Sequence, residues 1–144
     1  MGVGMNEAGK LGSALAAVGV ASRMIGQEKN EALLQGSKAH EENIVDQAEA
    51  KALEEDKPTM EGVKDLADDN YEAMTKAANA TFADPKATPE QRLSAATNAQ
   101  KALDDKTAAQ RALDELNTKL EATQERLARQ EKAMARGRKW GGAY

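Results

Sequence analysis

LDELNTKLEATQERLARQEKAM, residues 113–134, decides the fold. Leu113, Leu116, Leu120, Leu127 and Met134 fall on one seven-residue repeat, with Thr123 and Gln130 at the alternate sites of the same line. A three-four alternation sets side chains along a single stripe of a helix, the seam of a coiled coil. Two of the seven seam sites are polar, so the helix is expected to pair weakly by itself and to fit against another long helix. Ala99, Ala102 and Ala109 continue the line upstream. The start is marked by Thr88-Pro89-Glu90-Gln91: a threonine cap, proline at the first helical position, and glutamine placed to close a capping box. From Pro89 to Arg136 such a helix is about 70 Å long at about 1.5 Å per residue. Gly137 is the predicted stop, and Gly141-Gly142 open a basic terminus, residues 138–144, expected to be flexible and to carry Trp140 and Tyr144.

Working back from Thr88, Asp84-Pro85 and Thr88-Pro89 bracket a short turn-rich connection. Before it, Val63, Leu66, Ala67, Tyr71, Met74 and Ala78 follow a three-four spacing that predicts an amphipathic helix fading near Phe82. Thr59 can cap this helix, because Pro58 is predicted to stop the one before it. The first helix is expected to begin at Asn6 and end at Lys57, with Gly36-Ser37 as the place for a bend and Ile44, Ala48, Ala52 and Leu53 as a thin apolar line. Glu54-Glu55-Asp56 read as a fraying signal there. The parts are therefore 1–57, an Ala/Gly-rich head with the first helix; 58–87, the amphipathic helix and its connection; 88–137, the heptad helix; and 138–144, the tail. They form one structural unit, with no solenoid-like repeat.

The head stands out because Leu11 to Ser22 is uncharged while the rest of the chain is charged almost throughout. Gly12, Gly19 and Gly26 recur every seven residues beside the face carrying Leu11, Leu15, Val18 and Ile25. Each helix-interior glycine costs roughly 1 kcal/mol against alanine, so three along one edge point to close approach by a neighbouring helix. Leu11, Gly12, Leu15, Val18, Gly19, Ile25 and Gly26 are the candidate contact seam. Only twelve residues separate Lys10 from Arg23, short of the 20 or so a membrane-spanning helix needs, although several copies together could enter a bilayer. Glu7 offsets Lys10 and the apolar run is mostly Ala and Gly, a poor signal peptide, so the segment is expected to belong to the working protein.

With one Trp, two Tyr and one Phe in 144 residues, a thick core is not expected. Alanine buries little area, so the monomer should be marginal at about 25 cal/mol per Å² and completed by partners. The abundance of Ala, Glu, Lys, Leu, Gln and Arg predicts an all-α fold: elongated, two or three long helices, coiled-coil-like packing, finished by oligomerisation. The net charge of −4 is uneven. Arg126, Arg129, Lys132, Arg136, Arg138 and Lys139 face one acid, Glu131, giving +5 at this end and −9 elsewhere. With Trp140 they form a basic interaction end suited to phosphate, anionic lipid or an acidic protein surface, or simply to the negative end of a helix dipole.

No catalytic constellation emerges, and no cofactor or metal is expected. Absence of cysteine excludes disulfides, zinc–thiolate sites and thiol nucleophiles. Gly4 to Lys10 has P-loop spacing, but Leu11 stands where a magnesium-binding hydroxyl belongs and only three residues precede Gly4 where a strand is needed. Met1-Gly2 lacks the Ser or Thr of a myristoylation start, Asn6 holding that place, and Asn79-Ala80-Thr81 is a chance-grade glycosylation triplet. His40, the sole histidine, is read as a surface residue beside Glu41 and Glu42. Asp68-Asp69 and Asp104-Asp105 are sequential and point about 100° apart on a helix, so neither pair converges on one ion. The protein is expected not to be an enzyme.

An Ala/Gly-rich apolar head, long Ala/Glu/Gln/Lys helices and a short basic Gly-containing tail resemble the small internal virion, or ejection, proteins of short-tailed bacteriophages. The resemblance is carried by Leu11-Gly12-Ser13-Ala14-Leu15-Ala16-Ala17-Val18-Gly19 and by Arg136-Gly137-Arg138-Lys139-Trp140-Gly141-Gly142. It implies a protein stored inside the virion near the portal and found in the host cell envelope after ejection. There it would oligomerise with itself and with portal or other ejection proteins as part of a DNA-delivery channel. Contact with membrane and non-specific contact with DNA belong to the same expectation. The alternative is an acidic helical scaffolding or adaptor protein that docks through its basic C-terminal end.

Overall fold

The computed structural model describes residues 2–144, with side chains from residue 23 onward. Two long helices, α1 (Gly2–Ala83) and α2 (Pro89–Lys139), pack against each other, and no strand occurs among the described residues. The start of α2 follows its sequence signal: the Thr88 amide donates to Gln91 Oε1 at 2.9 Å and the Gln91 amide donates to Thr88 Oγ1 at 3.1 Å. These are the two reciprocal bonds of a capping box, with Pro89 in the first helical place. The connection before it is tied to Asp84, whose Oδ1 accepts from the Lys86 amide at 2.9 Å and whose carbonyl accepts from Arg92 Nη2 at 3.0 Å.

Contrary to the predicted stop, α1 runs through Pro58. Proline removes one ladder bond and crowds the carbonyl four residues back, at a cost of about 3 kcal/mol. Pro58 and Glu54 are both exposed, so the carbonyl left without its amide lies on the watered side. The packed side keeps its phase, with Ala50 buried and Leu53, Lys57, Met60, Lys64 and Ala67 half-buried at three-four spacing on either side of the proline. Packing overrides the local preference. The same holds at Glu54-Glu55-Asp56, which stay helical, and at Gly36-Ser37, where the expected bend is absent.

The chain divides into two units. One comprises the chain up to Asp46 with Arg126–Tyr144. In it Ala32, Gly36, Ala39 and Asn43 of α1 are buried, as are Gln130, Met134 and Gly137 of α2, while Asp46 and Leu127 are half-buried. The other comprises Gln47–Glu125. There Ala50 and Ala78 of α1 and Ala102, Leu113, Leu116, Leu120 and Thr123 of α2 are buried, with Ala99 and Ala109 half-buried. Both helices therefore pack along a strict heptad line. Thr123 is fully buried, yet its hydroxyl donates to the Lys119 carbonyl at 2.8 Å, which is how a polar residue fits this seam.

The apolar line expected in the first helix is not the packed one. Ile44, Ala48 and Ala52 are exposed, and the packing residues around them are Asn43, Asp46, Ala50 and Leu53. Of the amphipathic set, Ala67, Tyr71, Met74 and Ala78 turn inward, but Val63 and Leu66 stay 52% and 71% exposed. Lysines at Lys64 and Lys106 serve the seam by their stems and place their ammonium groups on partners. Lys64 Nζ lies 3.0 Å from Asp68 Oδ2, whose hydrogen bond and charge raise the lysine above its ordinary 10.5. Lys106 Nζ sits 4.7 Å from the centre of the Tyr71 ring, a cation–π contact.

Candidate functional site

The basic C-terminal end is built on a helix stop that differs from the expected one. Instead of ending at Gly137, α2 continues to Lys139. Gly141 takes φ 96°, and two bonds close the end: Gly141 N–H to the Arg138 carbonyl at 3.0 Å and Gly142 N–H to the Gly137 carbonyl at 3.0 Å. This is a Schellman turn, in which glycine is favoured because the left-handed conformation penalises any Cβ.

The turn sends the chain back over α1, so the tail expected to be flexible is held. Tyr144 Oη donates to the Leu33 carbonyl at 2.9 Å, and the Tyr144 ring stacks on His40 with centroids 5.9 Å apart and planes at 27°. His40, read from sequence as a solvated residue, is thus half-covered by an aromatic ring. The ring needs glycine beneath it. A Cβ at Gly36 would stand 2.5 Å from Tyr144 Oη, one at Gly142 2.5 Å from Cζ, and one at Gly137 would also collide with the hydroxyl. The glycines that looked like a bend and a stop are the cradle for this side chain. Replacing Gly36 with Ala should unseat Tyr144 and shift the His40 ring resonances in a proton NMR spectrum. Global stability should change by less than about 1 kcal/mol, since alanine's helix preference offsets the lost contacts. Unmoved His40 resonances would contradict the cradle.

Next to the cradle a polar layer crosses the seam. Asn43 Nδ2 donates to Gln130 Oε1 at 3.2 Å, Gln130 Nε2 donates to Asp46 Oδ2 at 2.5 Å, and Arg126 Nε lies 3.5 Å from the same Asp46 oxygen. A satisfied polar layer in a coiled coil fixes register, because any slip leaves buried polar groups unpaired. Gln130 was legible as a seam site; Asn43 and Asp46 were not, since nothing apolar flags them.

The basic residues thus split into two sets. Arg126 is engaged with Asp46, and Arg138 bridges Glu131 at 2.6 Å and the Tyr144 carbonyl at 3.2 Å. Arg129, Lys132, Arg136 and Lys139 are exposed, at three-four-three spacing on one face of α2, with Trp140 half-buried beside them. Among the described residues they make no ion pair or hydrogen bond. Arg129 also lines a cleft of about 330 Å³ with Lys38, Arg126 and Glu42.

Of the coiled-coil seam residues, Leu113, Leu116, Leu120 and Met134 are buried and Leu127 is half-buried. Of the head seam, the side chains of Leu11, Leu15 and Val18 and the surroundings of Gly12 and Gly19 lie outside what the structure describes. Ile25 is 54% exposed, and a Cβ at Gly26 would meet nothing within 4 Å. Among the described residues no group of three His, Asp or Glu side chains is placed to hold a metal, and no helix is long and apolar enough to cross a membrane. The fold and site define a two-helix coiled-coil chain with a glycine-cradled C-terminus. Comparison with protein-family models, curated proteins and solved structures finds no match for it.

Proposed function

We propose that this chain is a non-enzymatic helical assembly protein, and specifically an internal virion protein of the ejection class of a short-tailed phage. In this reading it is stored inside the virion and oligomerises near the portal, or in the host envelope after ejection, as part of a DNA-delivery channel. The observation that carries the assembly step is Ile25. It lies on the same seven-residue line as buried Ala32 and Ala39, yet it is 54% exposed although α1 extends a further 23 residues toward Gly2. Leu11 and Val18 continue that line in the sequence. A helix that keeps its packing phase where its own chain offers no cover is suited to a neighbouring copy. The phage setting rests on the resemblance in layout of head, helices and basic tail.

Substituting Gly19 with Leu tests this reading, since it adds bulk to the proposed contact without weakening the helix. Oligomer size should collapse while far-ultraviolet circular dichroism of the helices persists. An unchanged oligomer would remove the head from the assembly. The free cations of α2 favour a second reading, a scaffolding or adaptor protein docking by its basic end.

A further inference from the structure

We propose that the cation line Arg129, Lys132, Arg136 and Lys139 on α2 of one copy docks on the carboxylate line Asp65, Asp69 and Glu72 on α1 of a second copy, a head-to-tail contact between identical chains. It builds on the assembly reading but uses a different surface from the apolar head.

Charge complementarity carries the proposal. Gln47–Glu125 holds 17 Asp and Glu against 10 Lys and Arg, whereas residues 126–139 hold six bases against Glu131 alone. Asp65, Asp69 and Glu72 are exposed, follow a four-three spacing along one face, and make no ion pair among the described residues. The four cations repeat on the same three-four alternation. Seven residues advance about 10.5 Å on either helix, so Arg129 and Arg136 match Asp65 and Glu72 in length, with Lys132 free to meet Asp69. Beside the carboxylates Leu66 is 71% exposed, and beside the cations Trp140 is half-buried, giving the contact an apolar component.

A second copy fits better than a polyanion. Duplex DNA or an anionic membrane approaching the cations would also meet the field of a chain whose net charge is −4, and repulsion from the acidic segment opposes that approach. A copy of the chain presents that acidic segment as the attractive face. The two faces differ, so the contact is heterologous and propagates, closing into a ring where the rotation permits and otherwise forming a filament.

The test uses the full chain in sedimentation velocity at about 0.02 M and about 0.5 M salt, where the screening length falls from over 20 Å to a few ångströms. Wild-type association should weaken at least about tenfold at the higher salt. Arg129→Glu with Arg136→Glu, and separately Asp65→Lys with Glu72→Lys, should each abolish the salt-sensitive step while leaving helicity intact, since all four sites are exposed. Mixed in equal amounts, the two variants should associate again, because the reversed cation face of one then meets the reversed carboxylate face of the other. Association that persists at high salt belongs to the head and is subtracted from each comparison. Absence of a salt-sensitive step in the wild type would overturn the proposal, and so would failure of the mixture to recover it. If the wild type instead binds duplex DNA or phosphatidylserine vesicles and the Arg129→Glu, Arg136→Glu variant alone loses that binding, the line serves a polyanion and self-docking is rejected.

Discussion

Leu116→Ala is expected to lower the free energy of unfolding by about 2–4 kcal/mol, the usual cost of emptying a well-packed leucine site. Leu116 is 4% exposed, and the buried large side chains of its unit are Leu113, Leu116 and Leu120, the other buried seam positions being alanines and Thr123. Small neighbours have few atoms with which to refill a cavity, so the loss should fall toward the upper part of that range. Against the about 5–15 kcal/mol by which native proteins are stable, this is a large fraction. Urea unfolding followed at 222 nm measures it. Leu66→Ala is the control: at 71% exposure its effect should stay within about 0.5 kcal/mol. Equal effects at the two sites would mean that the seam is misplaced.

Pro58→Ala should act in the opposite direction, stabilising the chain by about 2–3 kcal/mol. The structure keeps α1 helical on both sides of Pro58, so alanine would restore an amide donor toward the Glu54 carbonyl and relieve the ring's crowding. Under the arrangement that local preference suggests, with Lys57 ending one helix and Thr59 capping another, the substitution would remove a useful stop and gain nothing. Thermal unfolding separates the two, and slower hydrogen exchange through residues 58–62 in the variant would locate the gain. No stabilisation, or a loss, would restore the break.

These two substitutions also show where sequence and fold part company. The capping box at Thr88 and the heptads from Leu113 to Met134 were readable because each is local: one turn of hydrogen bonds, or one stripe of large side chains. The path of α1 was readable only in part: Ala67, Tyr71, Met74 and Ala78 turn inward as their spacing predicts, but the line before them is not the apolar one. Its packed line includes Gly36, Asn43, Asp46, Lys57 and Lys64, none of which registers as apolar, while the apolar Ile44, Val63 and Leu66 point to water. The partner helix supplies the leucines, so α1 needs only the right phase and small or stem-burying residues. Gly36 and Gly137 carried a signal that was read the wrong way. A glycine inside a strong helix former means either a break or a close neighbour, and the neighbour, Tyr144, sits at the far end of the chain where no local rule looks. The basic end was legible as charge; which of its members are occupied required Asp46, Glu131 and the returning tail.

Assembly is the claim on which the functional account stands. Native mass measurement of the full chain over a range of micromolar concentrations, with and without liposomes, tests it most directly. The account predicts association beyond the monomer, into a closed oligomer or an open chain of copies, that retains the helix pair in every subunit. A monomer at all concentrations, unchanged by low salt, would contradict it.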